Sequence, residues 1–299
     1  MNSKSKKIMI ACFTLPATLC FLIVFAYPVL RTILMSFYNI DNIVSRMSEW
    51  QFVGLGIFTE LLNTSLFRQT WVTFLKIWLF GGIAVTLIAL TMAVILTSGI
   101  RGKAFFRAAI YLPNIISAVA LANMWIHYAF NVRWGLFHSL FSFLGWDKMA
   151  EFQWTAPDNL FLSMMIAFCF GAVGYYMLIY ISGIEKIPAD IYEAARIDGA
   201  TEWEVFRKIK WPLLRPITSF IIMMGIINSF KVFAEINVMM PPKGPTSSTL
   251  LAVVYIYEQA FSRGRFGRGS AAALLLFLVI IVLTMVQRRL GGKKTVDID

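Results

Sequence analysis

Asn228, Lys231 and Glu235 stand at i, i+3 and i+7, a spacing that places them on one face of a helix. They fall in an apolar stretch, where an ionisable group costs about 2.5–3.5 kcal/mol on insertion scales and is a functional candidate by default. Lys231 and Glu235 are spaced to pair at i, i+4. An amide beside two charges would suit hydrogen bonding to a hydroxyl-rich solute, and the same three groups would equally serve to glue helices together. Asn123 and His127 share a face at i, i+4, where a lone histidine is more often a satisfied structural group than a proton relay. Tyr175 and Tyr176 offer aromatic faces for stacking on a ring, or for packing alone. The sequence shows no clustered acids, histidines or thiols in a metal or nucleophile pattern, so no catalytic or metal residue is assigned. Cys12, Cys20 and Cys169 all lie in apolar stretches and suggest no disulfide framework.

The elements that must hold these groups are membrane helices. The 299 residues are 59% hydrophobic and 14% charged, against about 25% charged in soluble domains. This composition marks an integral membrane protein, and the chain is long enough for one membrane domain of several spans over 1–299, expected to be all-α. Six apolar segments approach the ~20 residues needed to cross a bilayer, at 8–30, 71–96, 104–130, 160–184, 217–240 and 270–286. With the N-terminus inside, the inner segments carry sixteen Lys and Arg and the outer loops eight. That bias places both termini in the cytoplasm, although Arg263, Arg265 and Arg268 oppose it. The same outside cluster is expected to be a flexible basic loop, touching a partner protein or an acidic group rather than RNA. The first apolar run exceeds a signal-peptide core and reads as an uncleaved helix. Lys76 is expected to snorkel outward.

The segment 187–216 is polar and ordered in pattern, between two apolar runs. Pro188 suits a first helical turn, with Asp190 and Glu193 at its positive end. Gly199 fits a left-handed C′ position. Thr201 and Glu204 form a capping box that opens a second helix, expected to stop at Trp211-Pro212. Small residues (Ala194, Ala195, Gly199 and Ala200) would let another backbone approach at the bend. From the residues alone, a docking surface and a hairpin lying on lipid are equally supported.

Glu193-Ala194-Ala195, Gly199, Ile209 and Pro212, in this spacing, resemble the EAA loop of binding-protein-dependent ABC importer permeases. Asp198-Gly199-Ala200 and Pro212-Leu213-Leu214 with Pro216 are similar to its sugar-importer branch. So are Tyr27-Pro28, Phe106-Arg107 with Leu112-Pro113, and Gly244-Pro245 with Tyr255-Ile256-Tyr257. Trp211 in place of the usual Leu, and Lys76 in place of a frequent Asn, depart from the pattern. The resemblance covers about residues 25–290 and implies a type I ABC importer permease fold of six transmembrane helices, looking most like the compact glycerol-3-phosphate and multiple-sugar members. It implies that Glu193, Ala194, Ala195, Asp198, Gly199 and Ala200 couple the chain to a cytoplasmic ATPase dimer. It implies a second permease subunit, an extracytoplasmic solute-binding protein and a prokaryotic cell membrane, with no nucleic acid. Because sugar contacts in the maltose-type subunit lie on the corresponding helix, it marks Asn228, Lys231 and Glu235 as candidates for the cargo path, and Asn123, Tyr175 and Tyr176 join them as candidates on their residue types alone.

No G-x-x-x-x-G-K-[ST] phosphate loop occurs, so ATP and Mg²⁺ are expected on the partner and no cofactor on this chain. The expected cargo is a sugar, oligosaccharide or polyol. An importer of glycerol phosphate or amino acids, and more remotely a polytopic membrane enzyme, are the alternatives.

Overall fold

The computed structural model describes residues 3–42, 44–239 and 250–290. Among these, five helices are long and apolar enough to cross a membrane: Cys12–Met35, Ser65–Thr97, Leu160–Ile184, Glu202–Phe230 and Phe266–Arg289. Helices Lys103–Ile115 and Ala118–Ala129 meet at 101° and are together apolar and long enough for a sixth, broken span.

The bend divides the expected span over 104–130 into two limbs. Pro113 removes one backbone donor near the end of the first limb. Ile116 and Ser117 are both extended, and the second limb restarts with the Ser117 hydroxyl accepting the Ala120 N–H at 3.2 Å. The expected span 217–240 is also interrupted. Its helix ends at Lys231, Val232 is extended (φ −65°, ψ 97°), and the chain resumes as Ala234–Met239. The interruption resets the helical phase, so Glu235 does not continue the face that Asn228 and Lys231 share at i, i+3. The side chains of Lys231 and Glu235 lie outside the described residues.

A further correction concerns Pro212. The helix opened by Thr201 does not stop there but continues to Lys231. A proline ring collides with the carbonyl one turn before it. Here that turn is the wide π segment Phe206–Lys210, whose altered ladder accommodates the ring. At 1.5 Å per residue the helix Glu202–Phe230 is about 43 Å long, more than the ~30 Å apolar core. The surplus is its first turns, which carry Glu202, Glu204, Arg207, Lys208 and Lys210.

The chain divides into two compact units. The smaller comprises residues 1–68 and 254–278. Its two-residue strands Tyr38–Asn39 and Gln51–Phe52 pair antiparallel, with Tyr38 edge-on to Phe52. Phe266 donates its N–H to Ile40 O at 2.9 Å. The Arg263–Arg268 segment is built rather than flexible, which corrects the basic-loop expectation. Arg263 pairs with Glu258 at 3.1 Å, and Arg268 lies inside the last helix with three partners: Glu60 at 2.6 Å, Thr64 at 3.0 Å and Tyr255 at 3.2 Å.

The larger unit comprises residues 69–253 and 279–299. Its core joins Tyr176, Met177, Tyr180 and Ile181 of the long helix to Val85, Ala89 and Ala93 of the second span and to Leu214 and Ile221 of the fifth. Small residues permit this closeness, as in membrane bundles generally. Tyr180 donates to Thr218 Oγ1 at 3.1 Å, and Arg107 pairs with Glu185 across the ends of the bent pair and the long helix.

Candidate functional site

Both helix breaks of the larger unit stand at one cavity. Its volume is about 370 Å³ and its lining includes Pro113, Asn114, Ile116 and Ala118 from the bend, and Val232 from the second break. Non-helical backbone at membrane depth is tolerated only where protein buries it or where it lines a cavity. The long helix contributes Gly171, Ala172, Tyr175 and Tyr176, and the fifth span contributes Asn228. Asn228 donates its amide to Tyr176 Oη at 3.2 Å, and Asn114 donates to the Gly171 carbonyl at 3.2 Å. Trp125 closes the wall, supported by Phe130, Phe137 and Phe170 at ring distances of 5.0, 5.9 and 5.3 Å. The size lies within the ~300–1,000 Å³ of small-molecule sites. Its amides, phenols and aromatic faces suit a hydroxyl-bearing ring rather than covalent chemistry.

Three of the path candidates therefore meet here: Tyr175, Tyr176 and Asn228. Asn123 does not join them. It donates to Val119 O at 2.8 Å within its own helix, and exposed His127 lies inside the π segment Trp125–Ala129 that follows. Sequence reasoning missed Asn114 and Trp125 as lining residues. The available signal was Pro113 itself, since a proline in a span marks where a helix can open.

The second arrangement is the polar segment before the fifth span. Pro188 caps the helix Ala189–Ile197 rather than opening it from within. The helix ends in a Schellman motif: Gly199 N–H donates to Arg196 O at 3.1 Å and Ala200 N–H to Ala195 O at 2.9 Å. Gly199 takes φ +72°, as such an end requires. Thr201 and Glu204 then form the reciprocal capping box, with Glu204 N–H to Thr201 Oγ1 at 3.3 Å and Thr201 N–H to Glu204 Oε2 at 3.0 Å.

Glu193, Ala194, Asp198 and Gly199 are exposed and Ala200 is half-buried, whereas Ala195 is only 8% exposed and packs inward. Ile197, 86% exposed, and Trp203 instead present apolar surface beside the glycine turn. The Lys210 ammonium sits 5.6 Å from the Tyr192 ring centre, tying this helix to the one that follows. Burial and then the nearby Glu202 charge push the Tyr192 phenol above its usual pKa.

Comparison with known proteins adds the relatives. The family described as "Binding-protein-dependent transport system inner membrane component" matches residues 85–295. The chain is 30% identical to the probable starch degradation products transport system permease protein AmyD of Thermoanaerobacterium thermosulfurigenes, over 96% of this chain and 94% of that one. It is 28% identical to the arabinooligosaccharides transport system permease protein AraP of Bacillus subtilis, over 96% and 90% of the two chains. In structure it resembles a chain of the bacterial alginate ABC transporter, crystallised in complex with an alginate pentasaccharide-bound periplasmic protein. The TM-score is 0.82 at 19% identity, covering 97% of this chain and 96% of that one.

Proposed function

This chain belongs to the binding-protein-dependent transport system inner membrane component family, and from that premise we propose that it is the membrane-spanning subunit of an ABC importer for carbohydrate. A solute-binding protein outside the cell delivers a glycan to the membrane. A second permease subunit completes the path, and a separate ATPase dimer drives it. The segment 187–216 faces the cytoplasm, as do both termini.

The observation that carries the cargo reading is the cavity at the two helix breaks. Tyr175, Tyr176 and Trp125 supply faces on which the C–H side of a sugar ring stacks. Asn114, Asn228 and the Tyr176 hydroxyl supply hydrogen-bonding groups of both kinds. The printed names of the two relatives, starch products and arabinooligosaccharides, support the same class. The ATPase groove would receive the outer face of the helix Ala189–Ile197. Ile197 and Trp203 would provide apolar contact there, and Glu193 and Asp198 would set its orientation. The Schellman turn and capping box leave no slack backbone between that helix and the fifth span, so a displacement at the groove reaches the cavity wall as a rigid motion.

The test is ATP-driven uptake by the full transporter in vesicles. Neutral oligosaccharides should be taken up, glycerol 3-phosphate and amino acids should not, and Asn228→Ala should lower sugar uptake while the assembled complex persists. Uptake of the phosphate ester or of amino acids in preference to every sugar would overturn the carbohydrate reading.

A further inference from the structure

A second cavity of about 360 Å³ lies along the same helix as the first. Tyr111, Tyr175, Leu178, Ser182, Lys186 and Ile217 are among its walls. The long helix lines the first cavity with positions 167, 168, 171, 172, 175 and 176, and this one with 175, 178, 179, 182 and 183. These positions recur in adjacent pairs that step by three or four and so form one continuous stripe. From Phe168 to Gly183, near the helix end at Ile184, the stripe rises about 22 Å, much of the thickness of the apolar core. Among the described residues Tyr175 is the one side chain that walls both cavities.

The structure also shows why the two spaces are separate. A Cβ added at Gly174 would fall onto the Ile110 carbonyl and the Tyr111 Cα. The bent pair and the long helix therefore touch backbone to backbone beside Tyr175. The boundary falls at the same level on both elements. Tyr111 walls the second cavity, Pro113 and Asn114 the first, and Gly174 and Tyr175 stand between. A pinch made of backbone cannot open by a change of rotamer. The phenol ring next to it can move by one.

We propose that Tyr175 is the gate between two successive chambers of the cargo path. The second chamber is an exit subsite in which the Tyr111 and Ser182 hydroxyls take over hydrogen bonds that the first chamber gave up. The proposal rests on the reading that this stripe lines the path. A glycan leaving the first chamber passes the Tyr175 ring, which offers it an apolar face on both sides.

The experiment uses the full transporter in right-side-out and inverted vesicles, with Cys12, Cys20 and Cys169 replaced by Ser. Single cysteines are introduced by Ala172→Cys in the first chamber and Ser182→Cys in the second, and labelled with a charged, membrane-impermeant methanethiosulfonate. Ser182→Cys should react readily from the cytoplasmic face. Ala172→Cys should react at least about tenfold more slowly from that face, as expected if the open gate is a minor state. Tyr175→Ala should abolish the difference and Tyr175→Phe should keep it.

If Ala172→Cys reacts as fast as Ser182→Cys with Tyr175 intact, or stays slow in Tyr175→Ala, the gate is refuted and the path reading stands. If neither cysteine reacts with the charged reagent from either face while a lipid-soluble maleimide labels both, the stripe faces lipid. The path reading then falls, and the gate with it.

Discussion

Replacing Arg268 by Met tests whether its three partners act as one buried network or as an ion pair with ornament. The Arg268 side chain is 17% exposed, whereas that of Glu60 is 63% exposed. An exposed ion pair contributes about 0–1 kcal/mol, so the Glu60 contact at 2.6 Å is the weakest of the three despite being the shortest. The bonds to Thr64 and to the fully buried Tyr255 are of the charge-assisted kind. Losing a partner there leaves a buried phenol unsatisfied, at about 1–3 kcal/mol.

Arg268→Met should therefore destabilise the complex by about 3 kcal/mol, the sum of one orphaned phenol and a weakened Thr64 contact. Glu60→Gln should cost less than about 1 kcal/mol. Arg268→Lys should fall nearer Met than wild type, because an ammonium cannot replace a three-nitrogen fork. Thermal unfolding of the purified transporter in detergent, read by tryptophan fluorescence, gives the order. Equal losses for Glu60→Gln and Arg268→Met would show that the exposed pair carries the energy, and the burial argument would be wrong.

Other outcomes follow from the larger unit. Gly199→Ala forces an L residue into φ +72° and should cost about 1–2 kcal/mol, seen as lower transporter yield or melting temperature, although open space surrounds the position. Gly174→Val drives a side chain into the backbone of the bent pair and should reduce stability by at least the ~1–3 kcal/mol of ordinary overpacking; melting temperature measures it, and Gly56→Ala, with nothing near its Cβ, is the control. Ile197→Glu should leave the chain in the membrane but lower the ATPase stimulation by loaded binding protein, and a normal stimulated rate would remove Ile197 from the docking face. Thr201→Ala removes the cap hydroxyl and should cost about 1 kcal/mol, measurable as increased amide exchange in the first turn after residue 201.

The membrane class, the helix segments and the caps of the polar segment were legible because each depends on local physics. Apolar length makes a span, Gly199 makes a left-handed end, and Thr201 with Glu204 makes a start. One reading failed at a break in the backbone. Helical periodicity assumes an unbroken ladder, so it carried the face of Asn228 and Lys231 on to Glu235 across the extended Val232. The Pro212 reading failed in the opposite direction, since the wide turn before it removes the clash that a proline would otherwise make. The partners of Arg268 were invisible because Glu60 and Thr64 lie about two hundred positions away, and only the fold of the smaller unit brings them together. Ala195 looked equivalent to Ala194, but the two point in different directions on the helix, and only one remains open to a partner.

The breaks at Ile116-Ser117 and at Val232 have an evolutionary consequence. Backbone amides and carbonyls released from a helix ladder persist whatever side chains surround them, so no single substitution of a lining residue deletes them. If the cavity receives cargo as proposed, Asn114, Tyr176 and Asn228 would be free to drift and change which glycan is preferred, while a general capacity to receive hydroxyl groups would be inherited with the fold. Lineages sharing this architecture would diversify in diet through a few side chains, without first losing the ability to import.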